Sequence, residues 1–420
     1  MSTMTKAADR GIRPVGSVIV ASGAAASAAV WYHLAQGVTI SLGACILLLP
    51  VWWATLSRYR GATPLVVVGL LAMVSGLLLG AFEPSREVST SLMQAQVLDF
   101  AAFVGSIGLL LWCRTQIGAG QTVMWFGAGS LVSSVLIGID DVNPWKFSLS
   151  IPVALIFLGV ATMLQSRMLE IVVLSGLAAV SLVSDSRSMT AFFVLVIPVV
   201  FWQMAANEVR GRVRPLRILL WFGALALGAY NLFLSLILEG VLGEAAQQRT
   251  QAQIDISGSL ILGGRPEAGA TVALVDRHPL GYGAGVLPSS SDIWAAKAGM
   301  SVLGYDPNNG YVERYMFGTQ FEVHSVLGDV WIRFGLPAAV FMLLLLAMSA
   351  SGVIGALAVR QVQGVVVYLF LLGAWNIFFS PALPSYPFLA LLVALVMRQR
   401  VPSLTQGGRV EKSRMNFKRG

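Results

Sequence analysis

Apolar stretches long enough to cross a lipid bilayer follow one another along almost the whole chain, and they leave it few ways to fold. A helix rising 1.5 Å per residue needs about 20 residues to cross the hydrocarbon core. In that medium every backbone N–H and C=O must be satisfied within the protein, so a spanning segment is a helix or part of a closed barrel. The apolar runs read as helices at 15–34, 38–56, 64–82, 95–113, 121–139, 147–164, 168–184, 189–206, 218–238, 327–350, 364–380 and 384–397. The last is short, with Pro381, Pro384 and Pro387 crowding its start. Only 11% of the 420 residues are charged. A soluble domain of this size carries about a quarter. The expected fold is therefore an all-α polytopic transmembrane bundle of about 12 spans with one large extracytoplasmic loop.

Charge placement sets the expected orientation. With the N-terminus cytoplasmic, 19 of the 28 Lys and Arg residues fall inside, including the cluster Arg210 to Arg217 and the basic tail. Such an excess marks the cytoplasmic side. Both termini are then expected on the cytoplasmic side. Lys6, Arg10 and Arg13 precede a first span rather than a cleaved signal. The net charge of +8 lies between spans and at the termini, which argues against a nucleic-acid partner. Cys45 and Cys113 lie inside apolar spans and read as packing residues.

The expected units are a transmembrane bundle over 1–238, an extracytoplasmic loop over 239–326, closing transmembrane helices over 327–397 and a cytoplasmic tail over 398–420. Loops this long are usually functional or disordered. This one holds Trp294, Tyr282, Tyr305, Tyr311, Tyr315, Phe317 and Phe321, aromatic enough to order.

Three outer residues stand out. Arg187 sits in the tight turn Ser184-Asp185-Ser186-Arg187; an interface arginine snorkelling to water, or paired with Asp185, fits equally well. Arg265 precedes Pro266 and a short amphipathic run, Ala268 to Arg277, that ends at His278-Pro279. An arginine beside a helix start suits an anion, although a solvated arginine is the plain alternative. His324 lies where the loop re-enters the membrane, as a general base or a satisfied helix-start histidine. His278 reads as structural and His33 as incidental, while Asp329 and Arg333 are spaced to pair along one helix. Asp99 lies within a span, where a carboxylate is a functional candidate or a bond to a neighbouring helix. No P-loop, dinucleotide-binding glycine motif or metal-ligand spacing occurs.

Together these pieces resemble the O-antigen ligase and O-antigen polymerase superfamily of bacterial membrane glycosyltransferases. The resemblance rests on Ser186-Arg187; on Arg265 with the turn Pro279 to Gly281, Gly283 and Gly285; and on His324-Ser325 with Gly328 and Phe334-Gly335-Leu336-Pro337. Ser325 stands where many relatives carry asparagine. The motifs cover roughly residues 180–340. The resemblance implies a polyprenyl-pyrophosphate-linked saccharide donor and a glycan, lipid or protein acceptor, with neither metal nor cofactor. It implies His324, Arg265 and Arg187 as catalytic residues, the arginines binding pyrophosphate. The same motif segments supply Arg277, His278 and Ser325 as further substrate contacts. Ligation, polymerisation and transfer to protein share these motifs. A lipid-glycan flippase or other transporter is the alternative, and an envelope scaffold a third reading.

Overall fold

The computed structural model describes residues 14–205, 213–240, 243–257, 264–306 and 308–400. Arg210, Arg212, Gly263, the first basic residues and the tail beyond Arg400 lie outside the described residues. The chain is nearly all-α, 76% helical. One small hairpin departs from the all-α expectation: β1 (His33–Ala35) pairs antiparallel with β2 (Val38–Thr39).

The helices run in order: α1 (Val15–Ser27), α2 (Ile40–Leu47), α3 (Leu49–Leu56), α4 (Ala62–Ala81), α5 (Thr90–Ile137), α6 (Ser150–Met163), α7 (Arg167–Val183), α8 (Arg187–Ala205) and α9 (Pro215–Leu238). Then come α10 (Glu244–Ser257), α11 (Glu267–Arg277), α12 (Ser290–Val302), α13 (Val326–Phe334), α14 (Leu336–Ala358), α15 (Gly364–Phe379) and α16 (Ala382–Val396). Among the described residues five stretches are long and apolar enough to cross a membrane: Ala62–Ala81, Thr90–Ile137, Trp145–Met163, Arg187–Met204 and Leu336–Ala358. Helix α4 shows why the surroundings are lipid. Val67, Leu71, Val74 and Leu78 form an exposed stripe, one every turn. Water would penalise such a stripe. The opposite face is small: a Cβ on Gly76 would strike Phe334, and one on Gly80 the carbonyl of Ala284. Close approach of this kind drives helix packing where lipid removes the hydrophobic term.

Helix α5 has 48 residues and one break, Gly118 at φ 79° and ψ 168°. Residues on both sides of that break reach one short segment after α1. His33 contacts Asp99 at 3.0 Å, while the N–H of Trp31 donates to Ser133 Oγ at 3.1 Å. The two halves therefore double back at Gly118, a position between the apolar runs 95–113 and 121–139. At the far end Arg114 Nη1 donates to the carbonyls of Ala394 and Met397, both at 2.8 Å, and so caps α16.

Another expected span is divided. The run 327–350 breaks at Gly335 (φ 73°), with Pro337 in the first turn of the next helix. A Cβ at Gly335 would lie 2.6 Å from the Leu280 carbonyl. Helix α13 is thus a separate buried element, and the apolar crossing begins at Leu336.

The segment from Arg265 to His324 has its own core. Leu274, Tyr282, Ala296, Met300, Val312 and Phe321 are buried together. Glycines 269 and 299 let α11 and α12 cross in backbone contact. The unit is tied to the α4–α5 connection: the N–H of Ser89 donates to Gly285 O at 2.8 Å, and that of Leu287 to Glu87 O at 2.9 Å.

Candidate functional site

The start of α11, the π-helical turn Val312–Met316, the approach to α13 and the C-terminal half of α15 meet at one place. Pro266 sits at the N-cap of α11, so Arg265 and Glu267 flank a fixed helix start. Tyr311 Oη donates to Glu267 Oε1 at 2.7 Å. The Tyr311 ring stacks on the His324 ring, centroids 6.1 Å apart and planes 24° apart. The Arg265 guanidinium lies over Trp375, 5.7 Å from the ring centroid. Burial and then the Glu267 carboxylate push the Tyr311 phenol well above its ordinary range, so it stays a neutral donor. Two buried polar atoms here have no hydrogen-bond partner among the described residues: Glu267 Oε2 and His324 Nδ1. Buried polar groups are normally paired, so each exception calls for an explanation such as a bound water, an ion or a catalytic role.

His324 is held under strain. Its φ is +50°, a left-handed conformation that costs a side-chain-bearing residue roughly 1–2 kcal/mol. The flanks enforce it. The N–H of Val323 donates to Asp329 Oδ1 at 2.7 Å, and the N–H of Ala382 to Asp329 Oδ2 at 2.9 Å. Ser325 caps α13 through the N–H of Gly328 and donates to the Ile377 carbonyl, both at 3.1 Å. Persistence of such strain points to function.

Arg187 opens α8, half-buried, its Nε 3.4 Å from Asp185 Oδ1. Asp185 is largely exposed, so this pair is weak. Five residues along α8, Phe192 packs edge-on against Trp375 at 6.1 Å, the ring beneath Arg265. Arg187 therefore begins a helix that lines the same aromatic patch.

Arg277 and His278 are occupied elsewhere. Arg277 Nη1 donates to the Ser291 carbonyl at 2.7 Å. His278 Nε2 accepts from Arg86 Nη2 at 3.0 Å. Arg86 also grips Asp292 with two bonds, Nε to Oδ2 at 2.9 Å and Nη2 to Oδ1 at 3.0 Å. Burial and the neighbouring guanidinium lower the His278 pKa, consistent with a neutral acceptor. Burial would raise the Asp292 carboxyl, but hydrogen bonds from Arg86 and Ser289 more than offset it and hold it below its ordinary value. This cluster fixes the loop.

Asp329 and Arg333 do not form the expected ion pair. Asp329 is spent on two backbone N–H groups, and Arg333 Nη2 donates to the Phe321 carbonyl at 2.7 Å. Asp99 is held by His33, and Glu170 by Arg167 at 2.9 Å and the N–H of Gly364 at 3.3 Å. Glu267, Tyr311, Trp375, Asp329 and Arg86 escaped the sequence reading as site or loop-fixing residues. A proline-started helix was the only local hint at Glu267. Comparison with protein-family models, curated proteins and solved structures finds no match to this chain.

Proposed function

We propose that the protein is a membrane glycosyltransferase acting on the outer face of the bacterial inner membrane. About 12 helices cross the bilayer, both termini are cytoplasmic, and the segment between α9 and α13 faces outward. The donor is a saccharide on a polyprenyl pyrophosphate, the acceptor a hydroxyl of a glycan, lipid or protein. The observation that carries this reading is the cluster of Arg265, Glu267, Tyr311 and His324 at the loop–bundle junction, with an unpartnered imidazole nitrogen.

The chemistry follows from these groups. The acceptor oxygen forms a bond to the anomeric carbon as the bond from that carbon to the pyrophosphate oxygen breaks. His324 Nδ1, free of protein partners, takes the hydroxyl proton. The pyrophosphate leaves with the bonding electron pair. Arg265, backed by the face of Trp375, keeps its N–H edges for that anion, and Arg187 is the second cation. Cleavage of the activated pyrophosphate linkage drives transfer where no nucleotide is at hand. Arg277 and His278 serve the loop's architecture and act on substrate only indirectly in this scheme.

Asp99 and Glu170, the intramembrane carboxylates a transporter would use, are each committed to a protein partner, and no observation favours a flippase. In cells lacking this protein, intact lipid-pyrophosphate saccharide should accumulate with its glycan on the outer face. An unchanged lipid-linked pool would sink the proposal. Accumulation on the inner face would identify a flippase.

A further inference from the structure

The end of the bundle opposite the loop holds a second built feature. The connection after α3 runs antiparallel to the segment after α16: Arg60 N–H donates to Arg398 O at 3.0 Å and Arg400 N–H to Arg58 O at 2.7 Å. Tyr59 and Gln399 form the bridge between them, and Gln399 Nε2 donates to Tyr59 Oη at 3.2 Å on one face. Side chains alternate across such a ladder, and cross-strand partners share a face. Arg58, Arg60, Arg398 and Arg400 therefore project from the opposite face together. All four are exposed. Among the described residues no carboxylate lies within ion-pair distance of any of them, or of Arg114.

Beside this ladder is a cavity of about 440 Å³, lined by Arg114, Arg398, Gln361 and Gln363 over an apolar floor that includes Val366 and Leu395. Gly355 makes room: a Cβ there would collide with Arg398 Nη2. Arg114 spends Nη1 on two carbonyls, and its other N–H groups have no partner among the described residues. Glu170, the nearby acid, is taken by Arg167 and the first N–H of α15. Four arginines on two paired segments concentrate positive charge that an anion would neutralise. An apolar floor beneath guanidinium donors, at the end of a lipid-facing bundle, matches a phosphate that carries acyl chains. Basic sites at that depth select planar bidentate contact with phosphate, which guanidinium supplies.

We propose that the cavity between Arg114 and Arg398 binds the phosphodiester headgroup of an anionic phospholipid. The full-length protein, purified in micelles doped with phosphatidylglycerol or with phosphatidylcholine, would be assayed by native mass spectrometry for retained lipid. Phosphatidylglycerol should be retained preferentially. Arg398→Gln with Arg400→Gln removes two exposed charges and leaves the backbone ladder and the α16 cap intact. At roughly 1 kcal/mol per cation, phosphatidylglycerol affinity should fall about 30-fold. Gly355→Ala keeps every charge but displaces Arg398, and should weaken retention as well. Equal retention of the two lipids, or undiminished phosphatidylglycerol affinity in the double variant, would overturn the assignment. Displacement of phosphatidylglycerol by millimolar inorganic phosphate would show a site for soluble anions and refute the lipid.

Discussion

Asp329 clamps the backbone of Val323, accepting its N–H at 2.7 Å, and so sets the chain immediately before His324. The second carboxylate oxygen accepts from Ala382 and joins α13 to the start of α16. Asparagine has one acceptor oxygen where two are needed, and its amide would face an N–H. Asp329→Asn should therefore leave a buried donor unpaired and cost about 1–3 kcal/mol. The measurements are the melting temperature and turnover. Full activity at wild-type stability would show that the clamp does not position His324.

The loop's attachment should depend on pH through His278. Its pKa is lowered in the fold by burial and by Arg86, so the folded state binds fewer protons than the unfolded chain. Stability from this contact is complete above the ordinary histidine value of about 6.5, and is lost as pH falls below it toward the lowered folded value. Asp292, also lowered, holds its contribution until more acidic conditions. Limited proteolysis between residues 278 and 306 should accelerate as pH drops below about 6.5. His278→Gln, an uncharged replacement, should flatten that dependence. An acid response unchanged in the variant would assign it to another group.

Topology has a direct test. Cys45 and Cys113 are both buried, so the wild type gives little background for thiol labelling. Ser290 is exposed at the start of α12. Ser290→Cys should react with an impermeant thiol reagent in intact cells. Labelling that appears only after lysis would invert the orientation.

How much of this was legible follows from the range of each interaction. The helix from Glu267 to Arg277 was readable because its signals are local: Pro266 opens it and Pro279 ends it. The division at Gly335 was hidden inside an apolar run, where composition says nothing about a backbone at φ 73°. The place where α5 doubles back falls between two apolar runs of the sequence, although Gly118 turns without a recognisable loop. Arg86 and Asp292 are 206 positions apart, and no local pattern announces such a pair. The same holds for Tyr311 and Glu267, 44 positions apart, so a tyrosine read as loop ballast turned out to connect both ends of the candidate site. Spacing alone misjudged Asp329 and Arg333, because buried backbone N–H and C=O groups competed for both side chains.

The arginines should not tolerate lysine. Arg265 lies over the Trp375 ring, 5.7 Å from its centroid, a position from which a planar guanidinium can present its N–H edges to a phosphate. Lysine keeps the charge and loses the fork. Arg265→Lys and Arg187→Lys should each lower turnover by about 10² to 10³, or roughly 2–4 kcal/mol. Wild-type rates in both variants, at equal expression, would make these residues bystanders.

His324 carries the most specific expectation, and its backbone complicates the obvious test. At φ +50° any residue but glycine is strained, and asparagine is among the side chains that tolerate the region best. His324→Asn therefore removes the base with the least disturbance, and His324→Ala serves as its control. A positioned base contributes typically 10² to 10⁴ in rate, so both variants should lose about that much turnover. Donor affinity should survive, because Arg265 and Arg187 hold the pyrophosphate in the proposed scheme. A histidine that instead bound the donor phosphate would weaken donor affinity when replaced. Donor dissociation constant and turnover, measured for wild type and both variants, separate these roles. A dissociation constant that rises in step with the lost activity would exclude the general base and leave His324 as a phosphate ligand.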